Sequence, residues 1–87
     1  MLLSELPNGA HACVERVQSR SPLVGDETVL RLGELGFIPG EVVQLLRRGP
    51  GGREPLAVQV GETLFALRLV EAQCIEVTAP ELAGKGA

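Results

Sequence analysis

Hydrophobic and polar positions change their period several times along this chain, and each change marks a boundary between elements. From Ala10 to Ser19 the apolar positions follow an approximate two-residue period, the pattern of a strand. Ala12 and Val14 share one face, whereas Cys13 and Val17 do not fit a single period, so a bulge is expected near Glu15-Arg16. Between Asp26 and Gly36 the period lengthens: Val29, Leu32 and Leu35 recur at three-residue spacing, the stripe of a short amphipathic helix. Asp26 is expected to cap its first turn with the carboxylate, and Glu27 stands near the positive end of the helix dipole. Gly36 supplies the left-handed residue that commonly ends a helix. Gly33 inside the helix costs about 1 kcal/mol against alanine, which implies close backbone packing there.

After Gly36 the pattern returns to strands. Pro39-Gly40 suits the corner of a type II turn, because glycine takes the positive φ required at its third position. Glu41 to Arg48 reads as a second strand, with Val43 and Leu45 on one side and Val42 on the other. Gly49-Pro50-Gly51-Gly52 reads as a flexible loop. Leu56, Val58 and Val60 alternate with Ala57 and Gln59, a half-buried strand, and Gly61-Glu62 fits a two-residue type II′ hairpin turn. Leu64 to Leu69 is the returning strand, Val70-Glu71-Ala72 a short helical connector, and Cys74 to Thr78 a last strand with Ile75 and Val77 facing one way. A loop from Ser19 to Gly25 holds Pro22, and Pro80 to Ala87 lacks periodicity, so residues 80–87 are expected to be a disordered tail beyond a single domain at 1–79. The fold expected from this order is mainly β: a small SH3-like five-stranded barrel, with one short inserted helix capping an open end. Closure would remove the exposed edges of a five-strand sheet.

Composition narrows the function more than the fold. Eighty-seven residues make about one small domain. No apolar run approaches the roughly 18–20 residues needed to cross a bilayer. The opening Met1-Leu2-Leu3-Ser4-Glu5 lacks the basic start of a secretory signal. A soluble, cytoplasmic protein with no direct membrane insertion is expected, and Cys13 and Cys74, far apart and in no C-x-x-C unit, read as reduced thiols. The formal charge is -3, Lys85 is the only lysine, and Phe37 and Phe65 are the only aromatics. Nucleic-acid binders present a basic face and often stacking aromatics, so nucleic acid is not an expected partner.

Candidate chemistry is sparse. Nucleophilic catalysis needs a nucleophile, a base and a group that orients the base. The one histidine, His11, lies two residues from Cys13 on one strand face, a geometry better suited to sharing a metal than to proton transfer. No phosphate loop or cofactor motif is present, so no enzyme and no cofactor are expected. Pairing of the first and last strands would bring Cys74 or Glu76 near His11 and Cys13, and imidazole, thiolate and carboxylate are all acceptable metal ligands. The spacing matches no standard motif, which favours an ordinary histidine beside core cysteines. Arg47-Arg48, before the glycine loop, are the candidates for stabilising a transferring phosphate on a partner, against the plainer reading of two solvated charges. Leu30 falls off the helix stripe and Leu46 lies opposite Leu45, so a contact surface is expected around Leu30, Phe37 and Arg47, with Arg48 beside it.

Arg31-Leu32-Gly33-Glu34-Leu35-Gly36-Phe37-Ile38-Pro39-Gly40-Glu41 resembles the "RL-x-x-LGF-x-PG" signature of the FeoA family, the small cytoplasmic component of bacterial ferrous-iron transport. The similarity continues through Pro55-Leu56-Ala57-Val58, Gly61-Glu62-Thr63-Leu64-Phe65-Ala66-Leu67-Arg68, Glu71-Ala72 and Ile75-Glu76-Val77, and Leu3-Ser4-Glu5-Leu6 with Gly9 fits the usual start. Leu30 stands where basic residues often precede the arginine, and the loop Gly49 to Arg53 is glycine-rich. The resemblance implies an SH3-like barrel and an accessory role in ferrous-iron uptake through contact with FeoB, the membrane permease bearing a cytoplasmic GTPase domain. A homo-oligomer is compatible with it. The same domain forms the C-terminal module of iron-dependent repressors, but these residues hold no helix-turn-helix, so direct transcriptional repression is not an expected role. The alternative function is a small transition-metal-binding or metal-sensing protein using His11 and Cys13.

Overall fold

A computed structural model describes residues 1–19, 22 and 24–78. The two-residue period becomes strand β1 at His11–Val17, β2 at Val42–Arg48, β3 at Leu56–Val60, β4 at Thr63–Leu67 and β5 at Ile75–Val77. The three-residue period becomes helix α1 at Asp26–Leu35, and a single helical turn, α2, spans Leu69–Ala72. All five strands are antiparallel, in the order β4-β3-β2-β1-β5. The mainly β architecture is as expected. No ladder joins β4 to β5 among the described residues, so the sheet keeps two edges where closure was expected.

β1 serves two partners. Its first half, His11 to Cys13, pairs with β2, and its second half, Val14 to Val17, pairs with β5. The register shifts between Val14 and Arg16, which is the bulge anticipated from the imperfect alternation. This shift lets Ala12 and Val14 stay in the core while Val17 still packs against it. β2 carries a second shift between Leu45 and Arg47. The core is built from the inward positions of the sheet, Val43, Leu45, Val58, Ile75 and Val77 among them, closed over by Leu32 of α1 and by Phe37. The Phe37 and Phe65 rings meet at a centroid distance of 5.7 Å, tilted by 49°.

The turns follow from local chemistry. Gly36 ends α1 at φ 118°, and the Phe37 amide reaches back to the Leu32 carbonyl. Gly40 has φ 92° and the Glu41 amide bonds the Ile38 carbonyl, a type II turn with Pro39 at its second position. Val60 pairs with Thr63 across Gly61-Glu62, with positive φ at Gly61 and not at Glu62, the pattern of a type II′ turn.

Three local expectations are corrected. Asp26 is not the cap of α1: Gly25 is, with no side-chain bond, and Asp26 contributes only charge in the first turn. Gly33 is not packed against backbone, since a Cβ there would meet nothing within 4 Å. Residues Pro50–Gly52 form a 3-10 turn closed by the Gly52 amide on the Gly49 carbonyl, because glycine at 51 and 52 accepts positive φ. Gly49 also lies against the Glu54 carbonyl, where a β-carbon would collide. One element has no periodic signal at all: a 3-10 turn at Leu3–Glu5 buries Leu3 and Leu6 completely. The expected tail at 80–87 and part of the Ser19–Gly25 loop lie outside the described residues.

Candidate interaction surfaces

The residues proposed for chemistry are separated by the strand register. His11 and Cys13 do lie side by side on the outer face of β1, both half-buried. β1 and β5 do pair, yet Thr78 is the residue beside Cys13: its hydroxyl accepts from the Cys13 amide at 3.0 Å. Cys74 lies opposite Gln18, whose amide donates to the Cys74 carbonyl, five residues farther along the strand or on the order of 15 Å away. The Cys74 thiol is buried and donates to the Val70 carbonyl at 3.3 Å. Glu76 pairs with Arg16, not with the histidine, and its carboxylate accepts from Arg16 Nε at 3.0 Å and Gln18 Nε2 at 2.6 Å. Among the described residues no group of three or more His, Cys, Asp and Glu side chains could hold a metal ion. The described residues do not fit a closed zinc site, which needs four ligands.

The expected contact cluster is also taken apart. Phe37 is 1% exposed, a core residue and not a contact. Arg48 is occupied inside the chain: its Nη2 donates to the Ser4 carbonyl at 2.7 Å and the Leu6 carbonyl at 2.8 Å. It fixes the N-terminal 3-10 turn and is not free for a partner. Leu46, expected to be exposed, is half-buried. Leu30 is 66% exposed on the solvent side of α1, as the helix stripe implied. Arg47 is exposed and has no hydrogen bond or ion pair within the described residues, so one of the two arginines remains available.

Register assembles a different surface. His11 pairs with Gln44, Gln44 with Gln59 and Gln59 with Leu64, so these four side chains form one row across the outward face of β1 to β4. Val42, two residues from Gln44 and opposite Cys13, adds to the same face at 51% exposure, and Leu64 is 63% exposed. Arg47 pairs with Ala57 after the β2 register shift and stands at one end of this face. A shallow groove runs between His11, Glu41, Val42, Gln44 and Gln59. Sequence alternation put Val42 outside; only the cross-strand register aligns it with His11 and Leu64.

Comparisons with known proteins agree on one family. The FeoA domain model matches residues 1–79. The zinc-complexed FeoA of Stenotrophomonas maltophilia, described as a prokaryotic SH3 domain protein possibly acting as a ferrous iron transport activating factor, is 50% identical over 90% of this chain and 89% of its own, with a TM-score of 0.79. FeoA from Chlorobium tepidum is 36% identical over 98% of this chain and 73% of its own, with a TM-score of 0.72. A manganese-dependent transcriptional repressor, 18% identical over 91% of this chain and 41% of its own, with a TM-score of 0.72, shares the fold alone. No curated protein sequence matches at a significant level.

Proposed function

This chain belongs to the FeoA family, and from that premise we propose that it is a non-catalytic accessory protein of bacterial ferrous-iron uptake, docking on the cytoplasmic part of the FeoB permease. Membership of the family supports the role in ferrous-iron transport, and no helix among the described residues is long and apolar enough to cross a membrane. The observation that carries the docking reading is the outward sheet face. Val42 and Leu64 are exposed beside the polar but uncharged Gln44 and Gln59, and Arg47, which has no partner among the described residues, borders them. Exposed apolar groups that cluster and are rimmed by polar ones mark interfaces, and an arginine at the rim suits an acidic or phosphate-bearing partner. Leu30, alone on α1, is a second contact candidate.

Calorimetry with the cytoplasmic GTPase region of FeoB from the same organism, with and without a GTP analogue, tests this reading. Binding that Val42→Asp abolishes, while the circular dichroism of the variant is unchanged, supports it. Binding unaffected by Val42→Asp, Arg47→Ala and Leu30→Asp alike refutes the proposed surface. A second reading, weak transition-metal binding through His11 and Cys13, draws on the zinc-bound relative and on the adjacency of the two side chains. Metal retained by the purified protein and lost on His11→Ala would support it.

A further inference from the structure

The two edges of the sheet are treated differently. Beyond β5, Leu2 bridges Glu76, and the Val77 amide donates to the Met1 carbonyl at 2.7 Å, so the N-terminal segment covers that edge. Beyond β4 no strand or bridge lies among the described residues. Natural edges are usually blunted by a charge, a proline or a bulge within the strand. β4, Thr63-Leu64-Phe65-Ala66-Leu67, has none of these, and its pairing with β3 is regular from end to end.

The hairpin fixes which backbone groups the edge presents. A two-residue turn is closed by a hydrogen-bonded pair, here Val60 and Thr63, and hydrogen-bonded pairs alternate from there. Thr63, Phe65 and Leu67 therefore spend their amides and carbonyls on β3, and Leu64 and Ala66 direct theirs outward. A strand pairing with its own copy about a two-fold axis at Phe65 sets Leu64 opposite Ala66 of the second copy, and the reverse. That register joins the two outward-directed residues in hydrogen-bonded pairs, through four backbone bonds. It sets the large exposed Leu64 beside the small Ala66. It also sets Glu62 opposite Arg68 of the second copy, twice. Both side chains are exposed, and neither has a hydrogen bond or ion pair within its own chain among the described residues. Sliding the register by two residues in either direction keeps the backbone pairing but separates these charges.

We propose that β4 is a self-association edge, pairing antiparallel with β4 of a second copy of this chain in the register centred on Phe65, with Glu62 and Arg68 as reciprocal charge partners. The occupant is a second copy because the strand is complementary to itself in charge, in side-chain size and in backbone donors and acceptors.

Sedimentation velocity of the full chain over a wide concentration range tests this. The expected result is a rise from the 9.2 kDa of one chain toward twice that mass. Ala66→Pro removes an outward amide without touching the bonds to β3 and should leave a monomer at every concentration. Glu62→Arg and Arg68→Glu each place like charges across the axis and should weaken association about tenfold. The double variant Glu62→Arg/Arg68→Glu should restore it, a rescue that a loss of folding could not produce. A chain that stays monomeric at all concentrations overturns the proposal, as does a dimer indifferent to Ala66→Pro or one that the double variant fails to rescue.

Discussion

The N-terminal side of the sheet and its β4 side make an instructive pair. At the first, a short segment without strand periodicity is folded over the β5 edge, two leucines are fully buried, and Arg48 ties two backbone carbonyls in place. At the second, a regular apolar strand ends the sheet with its outward backbone groups unclaimed among the described residues, and the face beside it carries exposed Val42 and Leu64. Substitutions on the covered side should therefore act on stability, and substitutions on the open side on association. A polar group satisfied in the chain has little left to offer a partner, which is why the neighbouring arginines 47 and 48 divide between the two roles.

Breaking the covered side should give the largest effects. Leu3→Ala empties a fully buried site and is expected to cost about 2–5 kcal/mol in urea unfolding, since the surrounding core cannot collapse fully into the space. Arg48→Ala strands the Ser4 and Leu6 carbonyls in a half-buried place and should cost about 1–3 kcal/mol, whereas Arg47→Ala should stay within about 0.5 kcal/mol of the parent by the same measurement. Gly33→Ala, away from both edges, should raise stability by about 0.5–1 kcal/mol, because the added methyl meets nothing and alanine favours the helix. Smallest of all, Leu64→Ser on the open side should shift the unfolding midpoint negligibly, by about 0.5 kcal/mol or less, because most of that side chain is already in water. A large stability loss at Leu64 would erase the distinction between the two sides.

What the sequence disclosed follows the same division. Strands and helix were legible where residues obey a period, as in Leu56 to Val60 and in Val29, Leu32 and Leu35, and turns where glycine was needed at positive φ, as at Gly36, Gly40 and Gly61. Even the β1 bulge was visible, as a fault in alternation. Leu3 and Leu6 were not identified as core, because a single 3-10 turn is too short to show a period. The role of Arg48 depends on where a distant backbone segment comes to rest, which no local pattern encodes. Phe37 was expected in the contact surface, but the Gly36 turn directs it inward, where it is buried. The grouping of Cys74 and Glu76 with His11 and Cys13 failed on register: pairing of β1 with β5 was foreseen, but the stagger that sends Cys74 to Gln18 is set by the bulge and by the split pairing of β1. The outward row of His11, Gln44, Gln59 and Leu64 likewise exists only once three registers are known.

The most direct test of recognition by the open side is a residue-resolved one. Amide chemical-shift perturbation of the isotope-labelled chain, titrated with the cytoplasmic GTPase region of FeoB, locates the contact without any substitution. Perturbations concentrated at His11, Val42, Gln44, Gln59 and Arg47, with Leu2, Leu3 and Glu76 unmoved, are the result predicted. Perturbations concentrated on the N-terminal segment and β5, or none at saturating partner, would contradict the account.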